Sequence, residues 1–373
     1  MSPALPLRPE LEGAVPYGAP QLDVPVRLNT NENPYPPPPE VTEAAAAAVR
    51  GAVTGLNRYP DREALALRAD LAAYLAADTG VAVEPSQVWV ANGSNEVMVQ
   101  ILQAFGGPGR TAMAFAPTYS MYPEYARDTH TRWVTGTRAA DFTLTAADAA
   151  AQVGDQRPDV VFLASPNNPT GTAMPLDVVE AVHDATPGMV VVDEAYAEFR
   201  RAGVPSATTL LHGRPRLVVT RTMSKAFAFA GARLGYLAAD PGVVDALRIV
   251  RLPYHLSAVT QAVARVALAH APLLQRDVAR LRDQRDALVL WLRAHGFVVP
   301  DSDANFVLVG RFVDRHATWT SLLERGVLVR EVGPPEWLRV TVGTEDEIER
   351  FRTALLAVAG SDAAPQPRRE AAS

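Results

Sequence analysis

From Val88 onward, short apolar runs alternate with amphipathic stretches of helical period. Val88-Trp-Val-Ala91, Thr111-Ala-Met-Ala-Phe115, Val160-Val-Phe-Leu163, Met189-Val-Val-Val192 and Leu217-Val-Val219 are apolar at consecutive positions, which predicts strands buried on both faces. Strands of that kind, separated by helices, predict an α/β fold with a mainly parallel sheet. Asp240 to about Gly296 reads as helix almost throughout, broken near Pro253 and Pro272. The period then changes. Asn305-Phe-Val-Leu-Val309, Val327-Leu-Val329 and Leu338-Arg-Val-Thr-Val342 predict strands with helices between and after them, so a smaller α/β domain closes the chain.

The first 40 residues follow neither period. They are dense in proline, ending in Pro34-Tyr-Pro-Pro-Pro-Pro39, which rules out a regular helix or a central strand and predicts an extended arm. The expected organisation is an arm over 1–40, a large domain over 41–255, a small C-terminal domain with its linking helix over 256–360, and a disordered polar tail over 361–373.

Composition narrows the functional classes. A chain of 373 residues exceeds one typical core, in keeping with a large and a small domain. The net charge of -6 argues against nucleic acid or an anionic membrane as the main partner. Without cysteine there is no disulfide, no thiolate nucleophile and no cysteine metal site, which fits a cytoplasmic location. The histidines, at 130, 183, 212, 255, 270, 295 and 316, never pair at helical spacing with an acidic ligand run, so no metal is expected. No segment has the length and apolarity of a signal peptide or a membrane span.

Lys225 stands apart. Lys and Arg together number 35, and Lys225 is the single lysine among them. A guanidinium stays protonated, whereas a lysine amine can lose its proton, attack a carbonyl and form a Schiff base. A compositional accident in an Ala-, Arg- and Pro-rich chain fits the count equally well.

The neighbours of that lysine carry further chemistry. Lys225 follows the Leu217–Val219 run, at the carboxyl end of a predicted strand, where open α/β sheets place their ligands. Thr222, Ser224 and Arg233 lie beside it and have the hydroxyls and the planar cation that hold a phosphate, although a capped helix with a surface arginine reads the same way. Asp193 and Tyr196 end another buried strand, and a carboxylate there calls for a cationic partner such as a protonated pyridine nitrogen; a helix-capping Asp and a core Tyr are the plainer alternative. Asn168 sits in the stiff turn Ser165-Pro-Asn-Asn168-Pro-Thr-Gly171. In Ala91-Asn-Gly93-Ser94-Asn95-Glu96 a strand passes into a helix whose first N–H groups can meet an anion. Tyr119, after the next strand, is either a stacking face for a flat cofactor or a core aromatic.

Taken in order, Gly-Ser94-Asn95-Glu, Asn-Asn168-Pro-Thr-Gly, Asp193-x-x-Tyr196, Ser-Lys225 and Arg233 resemble the class I/II aminotransferases among the fold-type I pyridoxal phosphate enzymes, from about Leu28 to about Leu356. Leu28-Asn-Thr-Asn-Glu-Asn-Pro34, Asn57-Arg-Tyr-Pro-Asp61 and Trp337-Leu-Arg-Val-Thr-Val-Gly-Thr344 look most like the branch of that family acting on histidinol phosphate. The resemblance implies a mainly parallel seven-stranded sheet and pyridoxal 5'-phosphate as cofactor, with Lys225 as its covalent lysine. It further implies Asp193 on the ring nitrogen, Tyr196 and Asn168 on the ring oxygen, and Tyr119 on the ring face. Ser94, Asn95, Thr222, Ser224 and Arg233 would surround the phosphate, and Tyr59 would reach the cofactor of a second subunit, making the active unit a homodimer. Arg339, assisted by Arg330, would bind the carboxylate of glutamate and the phosphate of the other substrate. Tyr17, Asn31, Asn95 and Tyr254 are candidates for its imidazole end. The implied reaction converts L-histidinol phosphate and 2-oxoglutarate into imidazole-acetol phosphate and L-glutamate. An aromatic amino acid aminotransferase and a phosphothreonine decarboxylase of the same fold are the alternatives; a regulator carrying this domain would need a DNA-binding module that the arm has no room for.

Overall fold

The structure, a computed structural model, describes residues 5–358, so the expected tail at 361–373 lies outside the described residues. Val26–Arg27 (β1), Val88–Ala91 (β2), Thr111–Ala116 (β3), Arg132–Thr137 (β4), Val160–Ala164 (β5), Met189–Asp193 (β6), Leu217–Thr222 (β7), Gly235–Ala239 (β8), Phe306–Val309 (β9), Val327–Leu328 (β10) and Leu338–Thr341 (β11) are its strands. Seven of them form the central sheet, in the order β2-β8-β7-β6-β5-β3-β4. Only β8 runs against the rest, pairing antiparallel with both β2 and β7. Residues of β2, β5, β6 and β7 are buried throughout, because helices cover both faces of the sheet.

Besides the two-residue β1 in the arm, two strands of the central sheet were not expected from the sequence, each for a physical reason. β4 is the edge strand, and its polar, half-exposed Arg-Trp-Val-Thr-Gly-Thr carries no apolar run. β8 is Gly-Tyr-Leu-Ala-Ala, buried throughout, and apart from Tyr236 it holds no β-branched or aromatic residue to mark it as a strand.

Side chains mark several helix starts. Thr145, Asp240, Ser257 and Asp314 each accept a bond from a backbone N–H in the first turn of the helix that follows. The helical stretch after Asp240 resolves into Pro241–Val250, Ala258–Ala269 and Ala271–Ala294. The last of these serves two cores. Leu274, Val278 and Leu281 pack with the central sheet, while Leu288, Val289 and Leu292 pack with β9, β11 and the helix Glu345–Val358.

The proline-rich beginning is mainly extended, yet Val26 and Leu28 are buried in that second core. β1 pairs parallel with β10 there, and the chain then crosses back so that the helix Pro39–Val53 packs on Ala258–Ala269. Residues 29–33 therefore form a strap between the two cores, directly over the carboxyl ends of the parallel strands.

A buried ion cluster ties the ends of β6 and β7 on the side away from the strap. Arg221 donates to Glu194 at 3.0 Å and to Asp78 at 2.7 Å, with Glu198 at 3.7 Å. Burial raises the Glu198 carboxyl, and the Arg221 charge opposes that rise.

Candidate active site

The parallel strands end at a cavity of about 410 Å³ beneath the strap. Lys225 lies on its wall, three residues past β7, and its Nζ donates to the carbonyl of Thr30 at 2.9 Å. Burial, and then the positive charge of Arg339, pull this amine down to about 8. It therefore sheds its proton far more readily than an ordinary lysine.

Asp193 forms the floor. Its Oδ2 accepts from the Tyr122 hydroxyl at 2.8 Å, and its Oδ1 from the Ala195 N–H at 3.2 Å and the Thr220 hydroxyl at 3.3 Å. Burial raises its carboxyl, and among the described residues no cationic side chain lies within ion-pair distance of it. A buried carboxylate held only by neutral donors is costly unless a cation joins it, and a protonated pyridine nitrogen is such a cation.

Tyr196 is nearly inaccessible, and its hydroxyl oxygen accepts from Asn31 at 3.0 Å and from Asn168 at 3.3 Å. With both amides donating, its own proton is free for an acceptor in the cavity. Burial keeps the phenol protonated by raising its pKa.

Hydroxyls, a guanidinium and a helix start that suit an anion come together at the β2, β7 and β8 ends. Thr222 donates to Ser224 at 3.0 Å, Arg233 donates to the same Ser224 oxygen at 3.3 Å, and the helix Ser94–Phe105 begins here without a side-chain cap. Its N-terminal N–H groups and partial positive charge face the same space. Two glycines make the approach possible. A Cβ on Gly93, at φ +84, would lie 2.5 Å from the Arg233 guanidinium, and one on Gly235 would lie 2.1 Å from the Ser94 nitrogen.

Arg339 and Arg330 close the other end. The two residues exchange backbone hydrogen bonds of 2.9 and 3.0 Å across neighbouring strands, which sets like charges side by side. Arg339 donates to Asn168 Oδ1 and to the Asn29 carbonyl, each at 2.7 Å, while Arg330 donates to the Gly18 carbonyl at 3.1 Å. Neither has a carboxylate partner among the described residues, and the Arg339 Nε has no partner at all. Paired guanidinia without a counter-charge fit an anionic ligand.

Of the residues expected from the sequence, Ser94, Asn95, Tyr119, Asn168, Asp193, Tyr196, Thr222, Ser224, Lys225, Arg233, Arg330, Arg339, Tyr17 and Asn31 all line the cavity. Tyr17 reaches it from the arm, bonded to Ser120 at 3.0 Å. Tyr59 and Tyr254 do not line it; they stack on each other outside, with ring centroids 4.3 Å apart, and Tyr59 is 78% exposed. The sequence reading gave no role to Thr30 and Glu32 on the cavity wall, nor to Tyr122, which bonds Asp193. Tyr122 stands three residues after Tyr119 at a helix start, a spacing that puts one ring edge-on to the other. The strap residues belong to a stretch that is polar throughout, and only the fold reveals that it crosses the strand ends.

Strand-end loops, a desolvated lysine and a cluster of anion-suited groups of this kind define a pyridoxal phosphate transferase site. The chain belongs to the aminotransferase class I and II family, whose match spans residues 24–355. It is 64% identical to the histidinol-phosphate aminotransferase of Thermobifida fusca over 95% of this chain and 96% of that protein. To its counterpart in Nocardia farcinica it is 56% identical, over 93% of this chain and 90% of the other. Among solved structures, histidinol-phosphate aminotransferase from Sinorhizobium meliloti in complex with pyridoxal-5'-phosphate superposes with a TM-score of 0.83 at 24% identity, covering 97% of this chain and all of that one. Aspartate aminotransferase from Thermus thermophilus with maleate gives 0.78 at 25% identity, covering 90% of this chain and 91% of the other.

Proposed function

We propose that this chain binds pyridoxal phosphate and transfers the amino group of L-histidinol phosphate to 2-oxoglutarate, giving imidazole-acetol phosphate and L-glutamate in histidine biosynthesis. The observation that carries the substrate reading is the unpaired Arg330–Arg339 couple at one end of a cavity whose reactive amine is Lys225. One guanidinium pair suits the phosphate of one substrate and a carboxylate of the other, as a two-substrate exchange at one site requires. The relatives named above support the choice of histidinol phosphate.

The bound cofactor supplies an aldehyde that takes up amino groups and a ring that accepts the electron pair left at the substrate Cα. Ser94, Asn95, Thr222, Ser224, Arg233 and the helix start at Ser94 hold its phosphate in this reading. Asp193 keeps a proton on the ring nitrogen, Tyr196 donates to the ring oxygen beside Asn168, and Tyr119 covers the ring face. Lys225 Nζ accepts the proton from the substrate Cα and hands it on within the site. With its pKa lowered to about 8, the amine can do this near neutral pH, which an arginine cannot. Asn31, Asn95 and Tyr17 flank the imidazole end, and Tyr254, which lies outside this cavity, has no part in it within one subunit.

We further propose a cytoplasmic homodimer in which Tyr59 reaches the cofactor phosphate of the second subunit. Its exposure, and the exposed Leu56 and Leu252 in loops and Leu65 and Ile249 at helix ends, support a covered apolar face. Among the described residues no helix is long and apolar enough to cross a membrane.

Steady-state comparison of histidinol phosphate, phenylalanine and phosphothreonine tests the substrate. The specificity constant for histidinol phosphate should exceed the others by at least about a hundredfold. A preference for phenylalanine, or carbon dioxide release from phosphothreonine, would replace the reading with one of its two rivals.

A further inference from the structure

Four cationic side chains line the cavity, Lys225, Arg233, Arg330 and Arg339, against two carboxylates, Asp193 and Glu32. The roles above use every one of these except Glu32. Its backbone is positioned with care. Asn31, the residue before it, holds the left-handed conformation at φ 56. Its carbonyl accepts from Asn305 at 3.0 Å, and its backbone N–H and side-chain oxygen bond to the Thr341 hydroxyl, each at 3.0 Å. Asn is among the few residues other than glycine that adopt αL readily, and here three bonds with Asn305 and Thr341 hold it there. The turn sets Glu32 at the rim of the cavity, where the side chain lines the site while staying exposed.

The Glu32 carboxylate itself is under-used. Thr30 donates its hydroxyl to one oxygen at 2.8 Å, and among the described residues no cation pairs with the group. Asp193, the other carboxylate, lies on the floor and is committed to three donors. Glu32 is thus the acceptor-only side chain at the wall with capacity to spare.

We propose that Glu32 recognises the imidazole of the amino substrate, accepting a ring N–H at its free carboxylate oxygen and so distinguishing the two substrates that share the site. The assignment rests on histidinol phosphate being the amino donor. With its phosphate at Arg330 and Arg339 and its amine at Lys225, the ring N–H still needs an acceptor, and at that end Glu32 and the Asn95 amide are the side chains open to it, of which only Glu32 carries a charge. A neutral imidazole presents one N–H and an imidazolium two, and a carboxylate suits either. Tyr17 and Asn31 are already bonded to Ser120, Tyr196 and Thr341. Glutamate has a carboxylate in place of the ring, so it gains nothing from Glu32. The negative charge of Glu32 also acts on Lys225, where it opposes the effect of burial, in keeping with a position beside the reacting amine.

Single-turnover kinetics of the holoenzyme decide the matter, with histidinol phosphate and with glutamate as separate amino donors, in wild type and in Glu32→Gln. The variant keeps the shape and removes the charge and half of the acceptor capacity. The ratio of specificity constants, histidinol phosphate over glutamate, should fall at least tenfold. The loss should lie in the apparent dissociation constant for histidinol phosphate, with the limiting rate held and the glutamate value not lowered. An unchanged ratio, or equal losses for both donors, would overturn the assignment, the latter marking a general effect on Lys225. Cofactor titration of the variant checks that its site is formed, and Glu32→Asp should recover part of the ratio. If the wild type itself does not use histidinol phosphate, the functional reading fails first; if it does and the ratio holds, Glu32 alone is excluded.

Discussion

Tyr122 is fully buried, stacks on Phe162 at 4.8 Å and donates its hydroxyl to Asp193. Replacing it by Phe keeps the stack and removes a hydrogen bond to a buried charge, worth about 1.5–3 kcal/mol. The Asp193 carboxyl should rise further, weakening its hold on a ring proton, so Tyr122→Phe should bind pyridoxal phosphate about tenfold or more weakly. Equilibrium titration followed by absorbance reads this, and unchanged affinity would place the contact outside the cofactor site. Lys225 makes a second prediction at this scale. Its amine is protonated below its pKa and nucleophilic above it, so a value near 8 fixes where capture of the cofactor by the apoenzyme accelerates. The rate should rise about tenfold per pH unit up to about 8 and level above it, whereas an ordinary lysine would keep gaining beyond pH 10. Stopped-flow mixing of apoenzyme with pyridoxal phosphate across that range measures the inflection.

Among the elements, the sheet delivers the site: β2, β3, β5, β6 and β7 each end within one or a few residues of a cavity group. The tightest junction is where β8 meets the start of the helix Ser94–Phe105. A Cβ on Gly235 would meet the backbone of Gly93 and Ser94 at 2.3 and 2.1 Å, so Gly235→Ala must displace the turn that starts the helix Ser94–Phe105, the proposed phosphate site. Pyridoxal phosphate affinity should drop by at least about tenfold, because the helix-start N–H groups lose their alignment. Gly154→Ala, with nothing within 4 Å, serves as the control by the same titration. These elements also explain what the sequence discloses. Strands buried on both faces write themselves as apolar runs, and their terminal Asp193, Asn168 and Lys225 follow at once. The polar edge strand β4 carries no such run, and the short apolar run of β8 lacks β-branched residues and reads equally as helix, so neither was visible. Glu32 and Thr30 were hidden for a different reason: their place over the site depends on β1 pairing with β10, a contact 301 residues apart along the chain between Val26 and Val327.

At the scale of the whole molecule, the strap and the helix Ala271–Ala294 join two cores around one cavity, and the charge of that cavity runs opposite to the molecule's net charge of -6. Anionic substrates are therefore drawn by the site and not by the surface. Tyr59, stacked on Tyr254 away from its own cavity, gives the proposed dimer a test. Co-expressing inactive Lys225→Ala with Tyr59→Ala should restore activity, since a mixed dimer contains one site with both native residues. Statistical mixing predicts roughly a quarter of wild-type turnover per dimer. A monomer by sedimentation, or no recovery, would contradict the arrangement. The central claim is that the single lysine performs the chemistry, and Lys225→Arg tests it most directly. The variant should still bind pyridoxal phosphate but lack the visible absorption band of the lysine-linked cofactor, and turnover of histidinol phosphate should fall by at least about a thousandfold. Retention of substantial transaminase activity with the band intact would contradict the account.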